Sequence, residues 1–131
     1  MIKRSLVHVL VVVSALATPA DNLASSAPLL SLRVSPPIAM APAKITVFAE
    51  LQGGSDDDPD LYCPTLEWDW DDGSISERKR DCEPFEKGKS KIERRFLERH
   101  EYKYEGYYEI TLRLKRGDKT VTSGTVKVQI S

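Results

Sequence analysis

Hydrophobic and polar residues alternate along several short segments of this chain. The clearest alternating segments are 30–34, 45–51, 66–70 and 108–114. Successive side chains of a β-strand point to opposite faces, so a period of two predicts strands that are buried on one face only. The two prolines at 36–37 end the first of these strands, because proline cannot donate a hydrogen bond to a strand ladder.

Turn signals separate the predicted strands. Residues 116–119, Arg-Gly-Asp-Lys, predict a hairpin turn that leads into a last strand over 120–130. Within that strand Val121 is out of phase with the apolar residues that follow it. We therefore expect a β-bulge at 123–124, Ser-Gly, that resets the register. The highly charged stretch 77–91 predicts a short edge strand with loops.

Residues 92–104 are compatible with a helix or with a strand. Oppositely charged residues four positions apart would support a helix. We interpret the segment as a strand that contains Phe96, because the neighbouring segments are strands. The whole pattern predicts an all-β sandwich of about seven antiparallel strands, with one domain over residues 29–131.

The beginning of the chain has the pattern of an export signal. Two basic residues precede an apolar stretch, 5–17, that ends in the small residues Ala-Leu-Ala. This predicts a signal peptide over 1–17 and a flexible linker over 18–28. A retained anchor is the alternative, but the apolar stretch is shorter than the roughly 20 residues that span a bilayer. We expect a secreted, periplasmic or extracellular protein with no membrane span after cleavage.

Two cysteines, Cys63 and Cys82, are the complete set in the chain. An even number of cysteines in an exported protein predicts a disulfide bond, with two free thiols as the alternative. A zinc site is not indicated, because tetrahedral zinc requires further Cys or His ligands nearby.

Charge is balanced overall but segregated along the chain. Nineteen Lys and Arg residues face 20 Asp and Glu residues, which gives a formal net charge of −1. This balance argues against nucleic acid as a partner, because phosphate binding needs a basic surface. Residues 50–72 include nine acidic and no basic residues, whereas residues 78–99 include nine basic and five acidic ones. Two interpretations stay open: neighbouring loops that neutralise each other, or a basic patch for an anionic polysaccharide or acidic protein.

Two motifs resemble those of polycystic kidney disease (PKD) domains. The segment 68–73, Trp-Asp-Trp-Asp-Asp-Gly, is similar to the family's W-D-F-G-D-G turn. His-Glu-Tyr at 100–102, followed by Gly-Tyr-Tyr-Glu-Ile-Thr-Leu at 106–112, is similar to the family's H-x-Y and G-x-Y-x-V-x-L. The matching residues are Trp68, Asp69, Trp70, Asp72, Gly73, His100, Tyr102, Gly106 and Tyr108. Asp71 stands where the family usually has Gly, and Asp tolerates a positive φ better than most residues.

The resemblance implies an immunoglobulin-like β-sandwich over about residues 29–130. PKD domains generally serve as non-catalytic extracellular modules in adhesion, carbohydrate binding or spacing, and some of them bind calcium. The resemblance therefore implies a binding or adhesion module whose ligand is a protein or a polysaccharide.

No catalytic motif is recognisable in the chain, so we predict that it is not an enzyme. Nucleophile-elbow, phosphate-loop and zinc-protease patterns are absent. His100 is the one histidine beyond the predicted leader, and its motif favours a structural hydrogen bond over a role as a general base. Glu67 and Asp69 could act as an acid–base pair, but a solvent-facing strand explains them more simply.

Two groups of residues are candidates for ligand binding. Tyr104 and Tyr107 could be exposed and stack on sugar rings, or could cover the edge of a sheet. An acidic loop could bind calcium, although a solvated turn is the alternative and no cofactor is required by the pattern. The calcium candidates are Asp56, Asp57, Asp58 and Asp60. Two functional hypotheses rival the binding module: a structural, assembly or spacer protein of the cell envelope, and a small secreted enzyme or enzyme inhibitor.

Overall fold

Eight β-strands form nearly all of the regular structure in the computed structural model, which describes residues 9–15 and 26–131. The alternating segments form strands because each can place its apolar residues on one face. In the segment Ala43–Gln52, for example, every second residue is buried. A single turn of 3-10 helix covers Pro59–Leu61. The strands are β1 Leu29–Ser35, β2 Ile38–Ala39, β3 Ala43–Gln52, β4 Thr65–Asp69, β5 Ile75–Arg78, β6 Arg95–Tyr102, β7 Gly106–Arg116 and β8 Lys119–Ile130.

The strands form two sheets that pack face to face. One sheet has the order β1-β3-β6, and the other has the order β2-β8-β7-β4-β5. The predicted all-β sandwich is thus confirmed. Two details differ from the expectation of about seven antiparallel strands: β2 is an additional strand of two residues, and it pairs with β8 in parallel. So short a segment has no readable alternation, which is why the sequence did not reveal it.

The core lies between the two sheets, and among the described residues it includes no buried charged or polar residue apart from the polar atoms of its Trp and Tyr side chains. Trp68 and Trp70 are fully buried, and their rings stack with centroids 5.5 Å apart. The other large, fully buried side chains come from both sheets and from the 3-10 helix: Tyr102, Ile45, Leu51, Leu61, Ile110, Leu112, Leu114, Val47 and Val128. Burial of these side chains removes apolar surface from water, which is the main stabilising term of such a sandwich.

The β7–β8 hairpin is the longest pairing in the molecule. Its strands are joined by the predicted two-residue turn, in which Gly117 adopts φ 57°. The register shifts between Leu114, which faces Thr122, and Lys115, which faces Thr120. The bulged residue is therefore Val121, and the prediction of a bulge at 123–124 was wrong. Gly124 stays in register opposite Leu112. Because glycine has no Cβ, β8 can also approach β1 of the other sheet closely at this position.

The ambiguous segment 92–104 contains a strand, β6, as predicted. Its alternating burial, with Phe96 and Tyr102 facing the core, decides against a helix. The charged stretch that precedes it contributes β5, which lies at one edge of the five-stranded sheet, and then continues without further strands to residue 94.

A disulfide bond joins Cys63 and Cys82, as predicted. It ties the charged stretch after β5 to the segment that leads into β4. The predicted signal-peptide cleavage site and most of the predicted linker lie outside the described residues. The end of that linker contacts the sandwich, because Thr122 Oγ1 donates to the Pro28 carbonyl at 3.1 Å. In the parts that are described, no helix is long and apolar enough to cross a membrane.

Candidate functional site

The two PKD-like motifs meet at one corner of the sandwich. The His100 ring stacks on Trp70 with centroids 4.3 Å apart, and its Nε2 lies 2.7 Å from Asp72 Oδ2. The Tyr102 hydroxyl donates to the Trp70 carbonyl at 2.7 Å. The Tyr102 ring in turn stacks on Tyr108, at 4.1 Å between centroids. The residues of the second motif, which lie on β6 and β7, thus contact the segment that follows β4.

The turn after β4 is built by its own carboxylates. Asp71 adopts φ 63° and Gly73 adopts φ 87°, so aspartate occupies the left-handed region, as expected where the family usually has Gly. Asp69 Oδ1 accepts from the Asp71 N–H at 3.0 Å. Asp71 Oδ2 accepts from the Glu109 N–H of β7 at 2.9 Å. These bonds fix the turn and attach it to the neighbouring strand.

The electrostatics of the corner favour a charged Asp72 and a neutral Tyr102. Partial burial alone would raise the pKa of Asp72, but hydrogen bonds from Ser74 and His100 outweigh it and hold that pKa below its ordinary value of 3.8. Burial, reinforced by the nearby Asp72 carboxylate, raises the pKa of Tyr102 well above its ordinary value. The polar groups of Asp72 and Tyr102 are thus engaged in contacts within the protein, with the His100 ring and the Trp70 carbonyl.

Tyr107 lies on the outer face of the five-stranded sheet, and 83% of it is exposed. It borders a groove of about 500 Å³. The groove, called here the Tyr107 groove, is lined by Pro37, Ile38, Asp71, Tyr107, Tyr108, Glu109, Lys127, Val128 and Gln129.

Strand pairing explains how these residues come together. Tyr107 of β7 faces Gln129 of β8, which faces Ile38 of β2, so the three form one row across the sheet. Glu109 faces Lys127 in the next row. The lining therefore combines an exposed aromatic ring and aliphatic side chains with an amide, two carboxylates and an ammonium group. This combination can contact an apolar surface and hydrogen-bond with hydroxyl groups at the same time.

Tyr104 is also exposed, at 76%, but it does not line the groove. It lies in the turn between β6 and β7, where its carbonyl accepts a 2.8 Å hydrogen bond from the Tyr108 hydroxyl. The two candidate tyrosines therefore do not share one surface pocket.

Glu67 and Asp69 lie on the outer face of β4, beside basic residues of β7. Glu67 accepts hydrogen bonds from Lys115 and Arg113, each at 3.2 Å, and Asp69 lies 3.7 Å from Arg113. The hydrogen bond from Lys115 is the main reason that the pKa of Glu67 lies below its ordinary value. A general acid needs a pKa raised toward neutral pH, and the pKa of Glu67 is shifted in the opposite direction.

Three of the four calcium candidates hold their carboxylates in contacts with the protein itself, and the fourth, Asp57, donates its backbone N–H to Ser55 Oγ at 3.1 Å. Asp56 pairs with Arg94 at 2.8 Å, and Asp60 pairs with Lys119 at 3.1 Å. Asp58 caps the short helix by accepting from the Asp60 N–H at 2.9 Å. Over the described ranges, no group of three or more His, Cys, Asp or Glu side chains is arranged to hold a metal ion.

The segregated charges of the sequence partly neutralise each other across loops and strands. Arg78 binds Glu98 at 2.8 Å, and this hydrogen bond lowers the pKa of Glu98. Arg80 pairs with Glu93. Both of these pairs lie within the basic segment 78–99, whereas the Asp56–Arg94 pair connects it to the acidic segment 50–72. Arg95 and Arg99 of β6 face outward instead.

A scan against protein-family models finds no match for the chain, and a search of curated proteins finds no similar relative. The PKD resemblance therefore stays a prediction that rests on the motifs. Of the groove, sequence reasoning identified Tyr107 alone as a ligand candidate. The pairing of β2 with β8 brings Ile38 and Gln129 together in the groove, and no local sequence pattern predicts that pairing.

Proposed function

We propose that this chain is an exported, non-catalytic binding module with a PKD-like, immunoglobulin-like sandwich fold, and that its ligand is a carbohydrate bound in the Tyr107 groove. The observation that carries the proposal is the exposed Tyr107 ring beside a groove that polar side chains also line. Single exposed aromatic residues are common on protein surfaces, and the adjoining groove is what distinguishes Tyr107 from the similarly exposed Tyr104.

Carbohydrates match this groove chemically. A pyranose ring presents an apolar face of C–H groups, which packs against an aromatic ring, and it presents hydroxyl groups around its rim. Those hydroxyls both donate and accept, so Glu109, Gln129 and Lys127 can each find a partner among them. Export fits the disulfide bond, since such bonds persist in oxidising compartments.

A glycan and polysaccharide array, probed with the mature domain that begins at Thr18, tests the proposal. The array is run in calcium and again in chelator, because the resemblance implies calcium binding in some PKD domains. We expect reproducible binding to a neutral or weakly charged glycan under both conditions. Binding in neither condition would contradict carbohydrate recognition and would favour an assembly or spacer role.

Tyr107→Ala and Tyr104→Ala form a matched pair for this test. Each removes one exposed tyrosine ring, but only Tyr107 borders the groove. We expect Tyr107→Ala to weaken glycan binding by about tenfold or more, which corresponds to about 1.4 kcal/mol, and Tyr104→Ala to leave it nearly unchanged. Equal losses in both variants would place the ligand outside the groove.

A further inference from the structure

Strand β6 forms one edge of the three-stranded sheet. Its pairing with β3 ends at Glu50, which faces Arg95, and just beyond that pair the Leu51 N–H donates to the Arg94 carbonyl at 2.7 Å. Hydrogen-bonded and non-hydrogen-bonded pairs alternate along an antiparallel ladder. The backbone groups of Arg95, Leu97 and Arg99 therefore point away from β3, toward the open edge. In agreement, the Arg99 N–H reaches the Glu98 side chain at 3.4 Å and not β3.

The same three residues also share the outer face of the sheet. Arg95 and Arg99 are exposed, and Leu97 between them is 50% exposed. Within the described part of the chain, neither arginine forms an ion pair. Arg33 lies two strands away and holds its guanidinium 4.5 Å from the centre of the Phe48 ring. The result is a row of arginine, leucine and arginine on an edge strand, with a third arginine nearby.

A groove of about 750 Å³ runs beside the first half of β6. Its outer wall includes Arg33, Phe48 and Leu97, and its inner wall includes Leu66 and Phe96. An extended chain at this edge would place alternate side chains toward these two walls, because side chains of a strand alternate between faces.

We propose that the β6 edge binds an extended segment of a partner protein that carries the pattern acidic–x–apolar–x–acidic. Such a segment would add as a fourth strand to the β1-β3-β6 sheet, so that its backbone pairs with the outward groups of Arg95 and Leu97. Two acidic residues four positions apart lie about 13 Å apart in a strand, which matches the spacing of Arg95 and Arg99. The apolar residue between them would cover Leu97.

A peptide fits this edge better than an acidic polysaccharide does. A polysaccharide has no backbone amides to pair with the strand edge. The partly buried Phe48 ring cannot serve as a sugar platform, since Arg33 already covers one of its faces. Arginine and apolar residues together, with few lysines, are typical of protein–protein interfaces. The proposed peptide site lies on the opposite sheet from the Tyr107 groove, so either site can exist without the other.

The experiment uses the mature chain and a fluorescently labelled synthetic peptide with the core Glu-Thr-Leu-Thr-Glu. Anisotropy measures its binding beside a peptide of the same composition in which the two acids are adjacent, and beside heparin. We expect the alternating peptide to bind at least about tenfold more tightly than the rearranged one, because only the former places both acids opposite Arg95 and Arg99. Equal binding of both peptides, or no binding of either at millimolar concentration, would overturn the proposal.

Two double variants with the same change of net charge complete the design. Arg95→Glu/Arg99→Glu reverses the edge charges, whereas Lys87→Glu/Lys91→Glu reverses two charges in the preceding loop. We expect the first to weaken peptide binding by about tenfold or more and the second to change it by less than about threefold. Equal effects of the two variants, together with strong salt-sensitive retention on heparin, would overturn the peptide site in favour of nonspecific attraction of polyanions.

Discussion

Single residues at the corner of the sandwich connect three strands through short contacts. Asp72 accepts from the Ser74 N–H at 3.0 Å and lies 2.7 Å from the His100 ring, which stacks on Trp70. These hydrogen bonds favour the ionised carboxylate and lower its pKa. The corner should therefore lose stability when Asp72 becomes protonated.

Asp72→Asn tests this dependence on pH. The folded-state pKa of Asp72 lies below its ordinary value of 3.8, so its stabilising effect is fully present above that value and is lost as pH falls through the folded pKa. We expect the substitution to cost about 1 kcal/mol at neutral pH, a modest value because the side chain is partly exposed, and less at about pH 2, which is below the ordinary pKa. Urea unfolding at both pH values measures the difference. A cost that is equal at the two values would contradict a role for the carboxylate charge.

The motifs predicted much of this corner but not all of it. The likeness to H-x-Y and to the W-D turn predicted structural roles for His100 and Tyr102. In the structure, His100 Nε2 lies 2.7 Å from Asp72 Oδ2, and the Tyr102 hydroxyl donates to the Trp70 carbonyl. Hydrophobic alternation likewise predicted that Trp68 is buried. It could not predict that the Trp68 indole N–H lacks a hydrogen-bond partner among the described residues, because that depends on side chains from distant strands.

At the scale of elements, the sheets are fixed by alternation and by the turns between strands. The alternating segments predicted β1, β3, β4 and β7 because each has one buried face. The bulge was misplaced because Ser-Gly is a common local signal, whereas the actual position depends on how β8 fits against β7 and β1. Gly124 in particular lies against β1 of the other sheet, and no local sequence pattern predicts that contact.

Gly124→Ala tests the close approach of β1 and β8. An added Cβ would overlap the Leu30 carbonyl and would lie 2.7 Å from Leu32 Cδ1, so backbone would have to move. We expect a loss of about 1–3 kcal/mol in the free energy of unfolding. The neighbouring Ser123→Ala, on an exposed side chain, is the control and should change stability by less than about 0.5 kcal/mol. Similar values for both variants would show that the sheets do not depend on this contact.

For the whole molecule, loops and covalent links matter as much as the strands. The stretch from 79 to 94 has no regular structure, and it is attached by the disulfide bond and by pairs such as Arg80–Glu93 and Asp56–Arg94. The even cysteine count predicted the disulfide. The Tyr107 groove was not predictable, because it joins β2, β7 and β8, which are far apart in the sequence.

Removal of the disulfide should destabilise the whole domain. Cys63→Ser/Cys82→Ser opens a loop whose ends are 19 residues apart, and loop-closure entropy predicts a loss of about 3 kcal/mol. The double substitution avoids leaving one reactive thiol. Denaturant unfolding of the two proteins under oxidising conditions measures the change in midpoint. An unchanged midpoint would mean that the loop is already fixed by its ion pairs and that the bond contributes no constraint.

Nuclear magnetic resonance can locate a carbohydrate bound in the Tyr107 groove residue by residue. A glycan that is positive on the array is titrated into the isotopically labelled mature domain, and the backbone amide shifts are followed residue by residue. If a carbohydrate binds in the groove, we expect the amides of β6 to stay unchanged and the largest shifts to occur at Ile38, Tyr107, Glu109, Lys127 and Gln129. Shifts confined to other surfaces, or spread evenly without saturation, would contradict the proposed site.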